Sequence, residues 1–72
     1  MNAIQGILAA YQETENAARA ESDRYYALAS KRFEEKNYPL SRLCYRRALR
    51  MEQFAAEMRA TQSLLRATFH QW

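Results

Sequence analysis

The sequence lacks nearly everything that interrupts a helix. It holds one glycine (Gly6) and one proline (Pro39) in 72 residues, which excludes a collagen-like repeat, a Gly/Ser linker and a disordered tail. Its one cysteine, Cys44, excludes an internal disulfide framework and a cysteine-rich zinc site. Its one histidine, His70, has no second imidazole to share a metal with. With Cys44 it leaves almost nothing for a nucleophile–base dyad, so no enzyme, metal or cofactor is expected. No uncharged stretch outruns Met1–Gln12, which is about half of a membrane span. No Lys or Arg precedes Arg19, which argues against a secretory signal peptide. A lone thiol and no leader together lead us to expect a cytoplasmic protein.

What is present favours helix. Apolar residues make up 49% and charged residues 26%, with Ala, Leu, Arg, Glu and Gln abundant. The chain is long enough for a single domain over residues 1–72, near the lower limit of what one core supports. The one clear break is Lys36-Asn37-Tyr38-Pro39. Asn37 tolerates the left-handed backbone that closes a helix, Tyr38 is pushed towards extended geometry by the proline after it, and Pro39 suits the first turn of the next helix. Lys36 complements the C-terminal dipole, whereas Glu34 and Glu35 oppose it. The expected fold is therefore all-α: two long helices in an antiparallel hairpin that turns at Asn37–Pro39. Each would reach on the order of 50 Å.

The first helix is expected to begin near Asn2, which with Gln5 resembles a capping box. Its apolar stripe runs through Ile4, Ile7, Leu8, Tyr11, Ala18, Tyr25, Leu28, Ala29 and Phe33, thinning where Glu15, Ala18 and Ser22 occupy it. Ser22-Asp23 could cap a fresh helix there, which would give a three-helix bundle. No Gly or Pro forces that break, so one continuous helix is expected. In the second helix Cys44, Ala48, Met51, Ala55, Met58, Gln62, Leu65, Phe69 and Trp72 alternate four- and three-residue steps, a heptad seam. Tyr45, Leu49, Ala56, Ala60 and Ala67 lie round the other side, and Leu40, Leu43 and Phe54 flank the seam. A helix apolar on several faces needs more than one neighbour, and a hairpin partner covers only one. The remainder points to a third helix, a second copy of this chain, or another protein.

Three resemblances bear on this. Ala20–Gln53 resembles a single tetratricopeptide repeat, a helix-turn-helix of about 34 residues. Tyr25, Leu28-Ala29 and Phe33 stand in its first helix, Asn37-Tyr38 in its turn, and Ser41, Tyr45 and Ala48 in its second helix, with Gln53 where the repeat ends in proline. The resemblance implies a packed helical hairpin. Asn37–Met51 is similar to the middle of the microtubule-interacting-and-transport domain, a three-helix bundle. In size and hairpin architecture the whole chain resembles the small co-chaperones of bacterial type III secretion. That likeness implies a repeat-containing chaperone as partner.

Several clusters could carry function. Arg42, Arg46 and Arg50 recur at four-residue steps on one helix face, and with Arg47, Arg59 and Arg66 they hold most of the net charge of +3. They would set register on a partner's carboxylates, or form a solvated face partly paired with Glu34 or Glu35. Phosphate contact is the weaker alternative, since no recognised nucleic-acid fold accompanies them. Cys44 reads as a small buried hydrophobe and His70 as a packing or surface side chain. Tyr25, Leu28, Tyr45 and Ala48 are expected in the core. The expected partner-binding residues are Leu49, Phe54, Met58 and Leu64, then Leu65, Phe69 and Trp72, with Arg42, Arg46 and Arg50 beside them. The function this implies is that of a small protein-binding adaptor or co-chaperone. The alternative from another class is a homo-oligomeric structural bundle.

Overall fold

The computed structural model describes residues 3–70, His70 by its backbone alone. Two helices, α1 (Ala3–Glu34) and α2 (Tyr38–His70), pack along their length as an antiparallel hairpin. The result is a rod with principal extents of 55 × 18 × 10 Å. No helix among the described residues is long and apolar enough to cross a membrane. Helix α1 passes through Ser22 unbroken, because the Ser22 hydroxyl caps nothing. It reaches across to the neighbouring helix and donates to the Ala48 carbonyl at 3.0 Å. The capping box expected at Asn2 lies outside the described residues.

The turn differs from expectation by one residue, for a physical reason. Lys36, not Asn37, takes the left-handed conformation, at φ 62°. The Lys36 N–H donates to the Phe33 carbonyl at 2.9 Å and the Asn37 N–H to the Arg32 carbonyl at 2.8 Å. This is the pair of bonds that closes a helix in a Schellman motif. Asn37 is thereby released to start α2. Its side-chain oxygen accepts from the Leu40 N–H at 3.4 Å and its carbonyl from the Ser41 N–H at 2.9 Å, the role of an N-cap. Tyr38 is accordingly the first helical residue rather than an extended one, despite the proline behind it. Its ring meets Phe33 edge-on, with centroids 5.3 Å apart, and pins the two helix ends together.

The core is built from small residues. The buried apolar residues are Ala18 and Ala29 of α1 and Cys44, Ala48 and Ala55 of α2. Leu8, Tyr11, Tyr25, Met51, Met58 and Leu65 continue the same heptad steps but are only half-buried. Small side chains let the helix axes come close, close enough for a second serine, Ser41, to donate to the Ala29 carbonyl at 2.8 Å. Ile7 and Phe33, expected in the α1 stripe, project from it and are exposed, as is Tyr45, expected in the core. Each sits one step off the seam, and the narrow spacing leaves no room to draw it in.

The largest fully buried side chain is polar. Gln62 donates from Nε2 to Glu15 Oε1 at 2.9 Å and to the Met58 carbonyl at 3.2 Å. The second oxygen of Glu15, itself buried, pairs with Arg19 at 2.7 Å. A lone buried carboxylate would be costly, but here both oxygens have partners. Such a layer penalises every shifted register, since sliding either helix strands Glu15 among apolar atoms.

Two substitutions test the backbone reading. A lysine in the left-handed region costs about 1 kcal/mol relative to glycine, so Lys36→Gly should raise stability by about that much in urea unfolding. A Cβ added at Gly6 would meet nothing within 4 Å, so Gly6→Ala should add up to about 1 kcal/mol. A third tests the polar layer. Gln62→Leu should cost about 1–3 kcal/mol by stripping a donor from a buried carboxylate. Adding Glu15→Leu should restore stability while sedimentation shows mixed association states.

Candidate interaction surface

Pairing along the seam leaves three faces of α2 uncovered: two flanks beside α1 and the outer face away from it. Heptad geometry decides which residues go where. On the first flank the Tyr26 and Tyr45 rings meet edge-on at 5.6 Å, and the Tyr26 hydroxyl donates to Glu52 Oε2 at 2.5 Å. That hydrogen bond, then loss of water, then the negative charge of Glu52, push the Tyr26 phenol up to about 12. On the second flank the Arg47 guanidinium stands 5.9 Å above the Tyr25 ring. Beyond it Thr14, Ala17, Ala18, Glu21, Met51 and Phe54 line a shallow, largely apolar groove.

The outer face carries Arg42, Leu43, Arg46, Leu49 and Arg50, all exposed. Arg46 lies at its crest by helical register, with Leu49 on one side and Leu43 on the other. The ion pairs among the described residues are Arg19–Glu15, Arg24–Glu21 and Arg32–Glu35. The pairing expected between Glu35 and the arginine stripe is therefore replaced by one with Arg32, three residues back on its own strand of the hairpin and within easy reach. Arg42, Arg46 and Arg50 have no ion pair among the described residues.

The structure divides the expected partner-binding residues. Met58 and Leu65 lie in the seam, half-buried against α1. Phe69 continues that seam and is 36% exposed. Leu49 stands on the outer face, Phe54 on the second flank, and Leu64, 68% exposed, on the outer face towards the C-terminal end. Trp72 lies outside the described residues. Leu43, Tyr38 and Phe33 are exposed as well. The sequence carried a signal for Leu43, which is one helical turn from Arg46 and Arg47 and off the heptad seam. Cys44 is buried and unbridged. No three His, Cys, Asp or Glu side chains come together to hold a metal among the described residues.

Comparison with known proteins finds no matching family, no matching curated protein and no matching solved structure.

The phenol gives a pH test. A pKa raised by folding means that the folded chain holds the proton more tightly than the unfolded one. The Tyr26–Glu52 bond therefore contributes in full below the ordinary tyrosine value of about 10 and is lost as pH rises through about 12. Spectrophotometric titration should show one tyrosine ionising near 12, and Glu52→Gln should bring it back towards the others. A titration unchanged by Glu52→Gln would remove that bond from the account.

Proposed function

We propose that this chain is a small non-catalytic adaptor or co-chaperone that docks an apolar helix face onto another protein. The observation that carries the reading is an inversion of the usual order. The enclosed apolar side chains are alanines and a cysteine, while Leu43, Leu49, Phe54, Leu64 and Tyr45 stand in solvent. Leu8, Met51, Met58 and Leu65 are half-buried in the seam, and the exposed set remains open to a partner. Covering it with a partner's side chains is the direct way to use it.

Within this class the specific reading is a co-chaperone of the type III secretion kind, with a tetratricopeptide-type chaperone as partner. Its support is the length of the chain and its helical hairpin. The mode of binding would be helix-in-groove docking, with Leu and Phe as anchors.

Sedimentation equilibrium and thermal melting of the purified chain test the class. The adaptor reading expects a weakly stable chain that melts broadly or aggregates, and that melts sharply once co-expressed with the protein that co-purifies from its native host. A homodimer whose mass holds across a wide concentration range would instead favour the structural bundle. A monomer that melts sharply at high temperature and binds no hydrophobic dye would overturn both.

A further inference from the structure

We propose that the outer face of α2 between Arg42 and Arg50 accepts an amphipathic helix of another protein, one whose apolar stripe is bordered by carboxylates. This rests on the adaptor reading and specifies the partner's chemistry. Two features coincide on this face. Leu43 and Leu49 are 47% and 37% exposed, and neither is in the hairpin seam. Arg42, Arg46 and Arg50 thread between them at four-residue steps, and no carboxylate among the described residues pairs with them.

The charge has no local remedy. Helix α2 holds six arginines against two glutamates, an excess of four. One of those glutamates, Glu52, is engaged by the Tyr26 hydroxyl. A helix presenting Glu or Asp at four-residue steps beside leucines would meet the arginines in register while its apolar side chains filled the spaces beside Arg46.

A second copy of this chain fits less well. Its α2 would bring the same positive excess. Its α1 holds five carboxylates against four cations, and Glu15 and Glu21 are already paired. The three that remain, Glu13, Asp23 and Glu34, fall about 15 Å apart along the helix, against about 6 Å between successive arginines. Nucleic acid fits less well too. The arginines could meet phosphates, but the leucines between them give bases no face to stack on. The ring of Tyr45, next to Arg46 in sequence, is already held edge-on by Tyr26. On a lipid surface Arg46, at the crest, would have to enter ahead of Leu43 and Leu49.

The test uses the full chain and two labelled synthetic helical peptides of about three heptads. Both carry the same leucine stripe, one bordered by Glu and the other by Lys. Fluorescence anisotropy should show binding of the Glu peptide, weakening as salt rises, and at least about tenfold weaker binding of the Lys peptide. Reversing Arg42, Arg46 and Arg50 to Glu should weaken the Glu peptide at least ~30-fold. Leu43→Ser with Leu49→Ser, which keeps every arginine, should weaken it about tenfold. All five positions are exposed, so circular dichroism should show the hairpin intact in both variants. Equal binding of the two peptides, or unchanged affinity in either variant, would overturn the proposal. So would binding of single-stranded RNA or anionic vesicles without the Glu peptide, or self-association that the leucine substitutions abolish. The adaptor reading survives such a failure if the native partner still co-purifies with the charge-reversed chain, since docking would then use a flank of the rod.

Discussion

The close approach of two helices across a seam of alanine, serine and cysteine is the constraint from which the other features follow. At that spacing a serine hydroxyl on one helix reaches a backbone carbonyl on the other, as Ser22 does to Ala48 and Ser41 to Ala29. A carbonyl in an α-helix already serves its own ladder, so each of these bonds uses a second lone pair that a wider interface would leave to water. The same spacing has a cost. A seam this narrow cannot draw in Tyr45, one step off it, while Leu43 and Leu49 face outward by helical register. The exposed apolar surface thus follows from register and the tight core together, and under the proposed function it is what a partner would cover.

Small residues alone specify little. An alanine can slide past another alanine at slight cost, so a seam made only of them would tolerate several alignments. The Glu15–Gln62 layer, with Arg19 as its outer member, removes that freedom. It stands far from the turn, on the side of the chain ends. The Schellman closure at Lys36 and the Phe33–Tyr38 contact fix the opposite end. One alignment device at each end gives a defined rod from a seam that has little side-chain detail between them.

Much of this was legible in the residues. The α2 seam from Cys44 to Phe69 could be read directly, because its four- and three-residue steps are uninterrupted. The hairpin turn could be placed from Asn37 and Pro39. The α1 seam was harder. Its most buried members, Glu15, Ala18 and Ser22, look like a gap when apolar size is the criterion, and they become a seam only when small size is recognised as the packing requirement. Lys36 in a left-handed conformation could not be read from propensity, which favours the asparagine next to it. The structure resolves the competition by giving Asn37 the cap of α2, where its side chain has more to bond. As for the surface, the heptad numbering places Arg42, Arg46, Leu49 and Arg50 on the outer face without any coordinates. What it could not supply was Tyr45, whose aromatic character suggests burial until the width of the seam is known.

The seam is not uniform along its length. Near the turn it is lined by Ala29, Ser41, Cys44 and Ala48, and towards the chain ends by Leu8, Tyr11, Met58 and Leu65. Side chains of such different bulk ask for different packing at the two ends of one seam. Tolerance to change then runs in opposite senses along one molecule. Beside Ala29 and Ala48 a gained methylene is the costly change, whereas at Met58 and Leu65 a deleted one is.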